Sequence, residues 1–158
     1  MERILGIGCQ VGGCKMQRSN FLKKIAIVDV APDWVKIEGG RLKKETLQKQ
    51  VKYFDKASGL LDYLNALKRT HKLDRFPDYV LIDMHLPDME AITFLNSFEQ
   101  VIGKMETPEV FILSSIGTKK NRDLAMQYSF VSAYLEKPVP SDLIEVLIAG
   151  KGVDDFPQ

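Results

Sequence analysis

The sequence predicts an α/β fold in which a five-stranded parallel sheet is wound by helices on both faces. Two observations predict it. Short apolar runs recur at 25–29, 51–54, 79–83, 110–113 and 133–136. Longer stretches between them carry apolar residues at helical spacing. A brief, wholly apolar run bounded by polar residues marks a strand buried on both faces, and strands that alternate with helices are joined by right-handed crossovers.

The elements follow in order. Residues 1–22 hold both cysteines and little periodicity, so they are expected to form an N-terminal extension. Gly6-x-Gly8-x-x-x-Gly12 has the look of a dinucleotide loop but lacks a strand before it and a helix after it. The fold is expected to start at Lys23, with a domain over 23–149 and a tail over 150–158. Ile25-Ala26-Ile27-Val28-Asp29 reads as a strand that ends in an acid. A helix is expected over 32–48, with Trp34, Ile37, Leu42 and Leu47 inward and a break at Gly39-Gly40, since each mid-helix glycine costs ~1 kcal/mol relative to alanine. Residues 51–54 form strand two. Ser58 is placed to cap a helix bearing Leu60, Leu64 and Leu67.

Tyr79-Val80-Leu81-Ile82-Asp83 is strand three, and a helix over 89–101 turns Ile92, Leu95, Phe98 and Ile102 inward. Strand four, 110–113, runs into Ser114-Ser115. Thr118 caps a helix to about Tyr128 with Leu124 and Ala125 inward. Strand five, 133–136, precedes Lys137-Pro138. Ser141 caps a last helix carrying Leu143, Ile144, Leu147 and Ile148.

Composition bounds the function. The chain has 158 residues, 45% apolar and 27% charged, which suits one globular domain. A formal net charge of +1 favours neither nucleic acid nor a membrane surface as partner. Cys9 and Cys14 fit no zinc spacing and make a poor disulfide framework, which suits a reducing cytoplasm. No run reaches the ~18 apolar residues of a membrane span, and the apolar start is too short and glycine-broken for a leader's core.

In a parallel doubly wound sheet the carboxyl ends of the strands share one rim, where such folds keep their chemistry. Asp29, Asp83, Ser114 and Lys137 all sit at strand ends. Two acids side by side suit a hard divalent cation such as magnesium. A hydroxyl and an ammonium beside them suit a phosphoryl group. His71 and His85 carry no case as reactive side chains.

Three segments, Asp83-Met84-His85-Leu86-Pro87-Asp88-Met89, Leu113-Ser114-Ser115 and Tyr134-Leu135-Glu136-Lys137-Pro138, lie in an order and spacing that resemble the receiver domain of bacterial two-component response regulators. The resemblance runs from about Lys24 to Ile148 and is nearest to the single-domain type. It implies a flavodoxin-like sheet of order 2-1-3-4-5. It implies that Asp83 is the phosphoacceptor and that Ser114 engages the phosphoryl oxygens, with Ser115 as the competing assignment. Lys137 would pair with the phosphorylated aspartate, Tyr134 would be the switch aromatic, and Lys137-Pro138 would be cis. Magnesium would be held by Asp29, Asp83 and the backbone carbonyl of His85. The implied partners are a histidine kinase or phosphotransfer protein and a downstream protein, with homodimerisation left open. The protein would catalyse only its own phosphorylation and dephosphorylation, and no output domain fits in the remaining residues.

The departures bear on this expectation. The family ends its first strand with two adjacent acids, but here Val30 follows Asp29. Ala91 stands where a glycine is usual, and Gly39-Gly40 lies in the first helix. A charge pair at ~4 Å is worth about 4 kcal/mol at an effective dielectric near 20, so the missing acid weakens metal binding. Rescue from Asp33 would have to come from beyond Pro32. The alternative to a phosphorylated receiver is therefore a degenerate one that binds partners without phosphorylation. A flavin or nucleotide enzyme on the same kind of sheet is a third reading, disfavoured by the absence of a glycine-rich phosphate loop after strand one.

Overall fold

The computed structural model describes residues 22–30, 43–105, 108–115, 118–137, 139 and 142–149. Its elements are β1 (Ile25–Val28), α1 (Lys44–Gln50), β2 (Val51–Phe54), α2 (Ala57–Arg69), a 3-10 turn (Leu73–Arg75), β3 (Tyr79–Asp83), α3 (Ala91–Ile102), β4 (Glu109–Ser114), α4 (Lys119–Ala125), β5 (Val131–Glu136) and α5 (Leu143–Ile148). The strands form one parallel sheet of order β2-β1-β3-β4-β5, the order expected of a flavodoxin-like fold.

Side chains alternate across a strand, so one apolar run supplies two cores. Ala26, Val28, Val80, Ile82, Val110 and Ile112 face α2 and α3, where they meet Leu60, Leu64, Phe94 and Phe98. Ile25, Ile27, Leu81, Phe111 and Leu113 face α1 and α5, where they meet Leu47, Leu143, Ile144 and Leu147. Each fully buried large side chain contributes about 1.5–3 kcal/mol relative to exposure. The two layers hold the strands in register, Val28 opposite Ile82 and Asp83 opposite Leu113. That register sets the rim on which the polar residues gather.

Several local expectations change. Ser58 does not cap α2: the N-cap position is Lys56, which makes no side-chain cap. α4 stops at Ala125 rather than near Tyr128. Leu124 is 38% exposed, because a seven-residue helix has only a narrow inward face and Ala125 occupies it. Ile92 is half-buried, whereas Leu95, Phe98 and Ile102 are buried. Thr118 does cap α4, its hydroxyl accepting the Asn121 N–H at 3.2 Å. Trp34, Ile37, Leu42, the Gly39-Gly40 break, Asp33, Pro138, Ser141, residues 1–21 and the tail 150–158 lie outside the described residues. Among the described residues, no helix is long and apolar enough to cross a membrane.

Candidate functional site

The site is assembled at the carboxyl ends of β1, β3, β4 and β5. β1 ends at Val28, and the Asp29 N–H still donates to the Phe54 carbonyl at 3.0 Å, which continues the ladder with β2 by one residue. That bond fixes the Asp29 backbone, and its side chain points inward, only 5% exposed. Asp83 is the last residue of β3, and beyond it the Met84 N–H donates to the Leu113 carbonyl at 2.7 Å. On the far side the Lys137 N–H donates to the Ser114 carbonyl at 2.9 Å, so Lys137 leaves β5 aimed back across the rim.

Its ammonium lands between the two acids. Lys137 Nζ lies 2.6 Å from Asp29 Oδ2 and 2.5 Å from Asp83 Oδ2. The remaining Asp83 oxygen, Oδ1, accepts the His85 N–H at 2.6 Å. Charge-assisted bonds of this length are the stronger kind. Burial alone would pull the Lys137 ammonium towards neutrality, but the bonds and charges of Asp29 and Asp83 outweigh it and raise its pKa. Among the described residues the cluster holds two carboxylates against one ammonium, a formal surplus of one negative charge in a largely buried setting. Such a centre attracts a further cation.

The other candidates are placed as follows. Ser114 closes β4 one residue beyond Leu113, the register partner of Asp83, and is wholly buried. Ser115 is exposed. Tyr134 lies on β5, packs against the core beneath α2 and α3, and has a buried hydroxyl with no hydrogen-bond partner among the described residues. It also lines a surface cavity with Thr118, Lys119, Arg122, Asp123 and Glu136. His85 is exposed and joins the site through its backbone. Val30 is 56% exposed at the position of the missing acid.

One residue near the site escaped the sequence reading. Asp88 accepts the Ala57 N–H at 3.1 Å and the Ser58 N–H at 2.9 Å, so it caps α2 from the loop after β3. The available signal was negative: Lys56, at the N-cap of α2, supplies no capping side chain.

No protein-family model and no curated protein matches the chain. Solved structures do. A two-component response regulator from Cytophaga hutchinsonii is 18% identical with a TM-score of 0.58, covering 80% of this chain and 94% of that one. A CheY-like receiver domain protein from Methanospirillum hungatei JF-1 is 21% identical with a TM-score of 0.54, covering 78% of this chain and 89% of that one. The chain has the receiver fold of response regulators. A response regulator from Burkholderia pseudomallei, 13% identical with a TM-score of 0.56 over 80% of this chain and 66% of its own, was solved with a phosphorylated aspartic acid, a calcium ion and citrate. Identities this low speak to the fold. The receiver fold puts Asp29, Asp83 and Lys137 on its carboxyl rim, and their chemistry has to be judged from their own geometry.

Proposed function

We propose that the chain is a receiver that accepts a phosphoryl group on Asp83 from a phosphohistidine donor. The reading is supported most by Lys137, whose single ammonium nitrogen touches carboxylate oxygens of both Asp29 and Asp83. One cation can therefore reach both acids at once. In the transfer, an Asp83 oxygen forms the new O–P bond as the donor's N–P bond breaks, and the freed imidazole keeps the bonding pair and takes up a proton. Phosphorylation adds about 1.5–2 negative charges. Lys137 then turns to the phosphoryl oxygens, Ser114 supplies a hydroxyl donor, and Tyr134 follows the movement of β4.

The donor set suits magnesium, which binds through one or two carboxylates and keeps water and phosphate as its other ligands. Among the described residues no group of three or more His, Cys, Asp or Glu could hold a metal, and the hypothesis needs only Asp29, Asp83 and the His85 carbonyl. Bound there, magnesium would neutralise charge on the phosphoryl oxygens. Residues 23–149 form the receiver in this reading, with 1–22 and 150–158 flanking it. The protein works in the cytoplasm and turns over no separate substrate. It passes its state to a partner protein, a second copy, or a further phosphotransfer step.

A second reading has a specific observation in its favour. Val30 supplies no second acid, and Lys137 already holds both carboxylates. The fold would then be a binding module that is not phosphorylated. Incubation with acetyl phosphate and magnesium separates the two. Phosphorylation predicts added phosphate mass, sensitive to hydroxylamine and absent in Asp83→Asn; no adduct at any magnesium concentration would sink it.

A further inference from the structure

The loop that follows Asp83 is fastened at both ends. At its inner end the His85 N–H donates to Asp83 Oδ1 at 2.6 Å. An isolated antiparallel bridge between His85 and Glu90 closes its base. Leu86 and Met89 pack against the core and hold its apolar side. The polar fastening is Asp88, whose two carboxylate oxygens accept from Ala57 and Ser58 at the start of α2. These are two of the N–H groups that a helix leaves without internal partners.

The placement is informative because a nearer use for Asp88 exists. Three residues further on, α3 begins behind Glu90, which provides no side-chain cap. Asp88 serves α2, some thirty residues away in sequence, and not the helix it precedes. α2 in turn has no cap of its own at Lys56. What little burial it has works against the charged carboxylate, yet the bonds from Ser58 and Ala57 hold its pKa below the ordinary value.

We infer that Asp88 is a positioning residue: by clamping the 84–90 loop to the amino end of α2, it sets where the His85 backbone stands beside the Asp83 carboxylate. The inference deepens the proposed phosphoacceptor reading, because the His85 carbonyl is the third metal ligand there. α2 becomes a mechanical support of the acceptor loop. A shift of its first turn is transmitted to the site through one carboxylate.

A plain cap and a positioning clamp can be told apart. Asp88→Ala removes both roles. Adding Lys56→Asp gives α2 a local cap at a position whose backbone is already extended as an N-cap requires, but it leaves the loop untied. Hydrogen exchange at the His85 amide reads the loop, thermal melting reads the helix, and magnesium affinity reads the site. In Asp88→Ala, His85 exchange should quicken about tenfold and magnesium binding weaken about three- to tenfold, as expected when a local opening is eased. In the double variant the melting temperature should return while His85 exchange stays fast. The inference is overturned if Asp88→Ala leaves His85 exchange within about twofold of the parent, or if the double variant restores it. Wild-type protein that binds no magnesium would count against the phosphoacceptor reading alone, since the exchange result still decides what Asp88 does.

Discussion

At the scale of single residues, the centre of the molecule is Lys137 between two acids. Lys137→Met would take the shared ammonium away from two buried acids of like charge, Asp29 and Asp83. Breaking a buried ion pair costs a few kcal/mol because the abandoned charge stays desolvated. The expected loss is about 2–4 kcal/mol by urea denaturation at neutral pH, with Asp29→Asn in the same molecule recovering part of it. The pH dependence follows from the raised Lys137 pKa. A raised folded pKa means the bridge stabilises fully below the ordinary lysine value of 10.5 and fades as pH climbs through the folded value. The stability gap between wild type and Lys137→Met should stay flat through neutral pH and narrow as the pH rises into alkali. Val30 offers the opposite test. Val30→Asp puts a second carboxylate on an exposed rim position at no cost in packing, and magnesium affinity measured calorimetrically should rise about tenfold or more.

At the scale of elements, termini carry most of the information. Just past the end of α2, His71 stands at φ 56°, a left-handed conformation that side chains rarely adopt. His71 is exposed. His71→Gly should therefore raise stability by about 0.5–1 kcal/mol in chemical denaturation, since glycine takes that conformation without a Cβ clash. The carboxylate that caps the other end of α2 behaves as an acid switch. A depressed Asp88 pKa means its contribution is present above the ordinary carboxylate value of 3.8 and is lost as pH falls through the folded value. The stability difference between wild type and Asp88→Asn should shrink below that value. These termini also mark where the sequence was legible. Thr118 stands next to the helix it caps, so a local reading finds it. Asp88 and the first turn of α2 are brought together by the path of a loop, and no periodicity records that. Leu124 was misplaced for a related reason: helical spacing names a face, but it does not say how much of a short helix is covered.

At the scale of the whole molecule, the sheet was readable because strands buried on both faces must be apolar throughout. β3 shows this from Val80 to Ile82. The rim was readable because parallel strands all end on the same side, so the residues at or just past the ends of β1, β3 and β5 meet whatever their separation in the chain. Sequence could not reveal that Lys137 would reach both acids at once, since that depends on where the chain leaves β5. This contact sets the final expectation. A metal ion that binds only the folded protein stabilises it by about 2.7 kcal/mol at one hundred times its dissociation constant, or roughly 5–10 °C of melting temperature for a chain of this size. Here the ion must first draw Asp29 and Asp83 away from the ammonium that holds them. Lys137→Met, although less stable in chelator, should therefore gain more from magnesium than wild type does. Asp29→Asn should gain less, and Asp83→Asn least of all. If instead magnesium leaves the melting temperatures of wild type and Lys137→Met equally unmoved, the ammonium is the lasting counter-ion of the site. Phosphorylation on Asp83 would then lose its physical basis, and the binding-module reading would take its place.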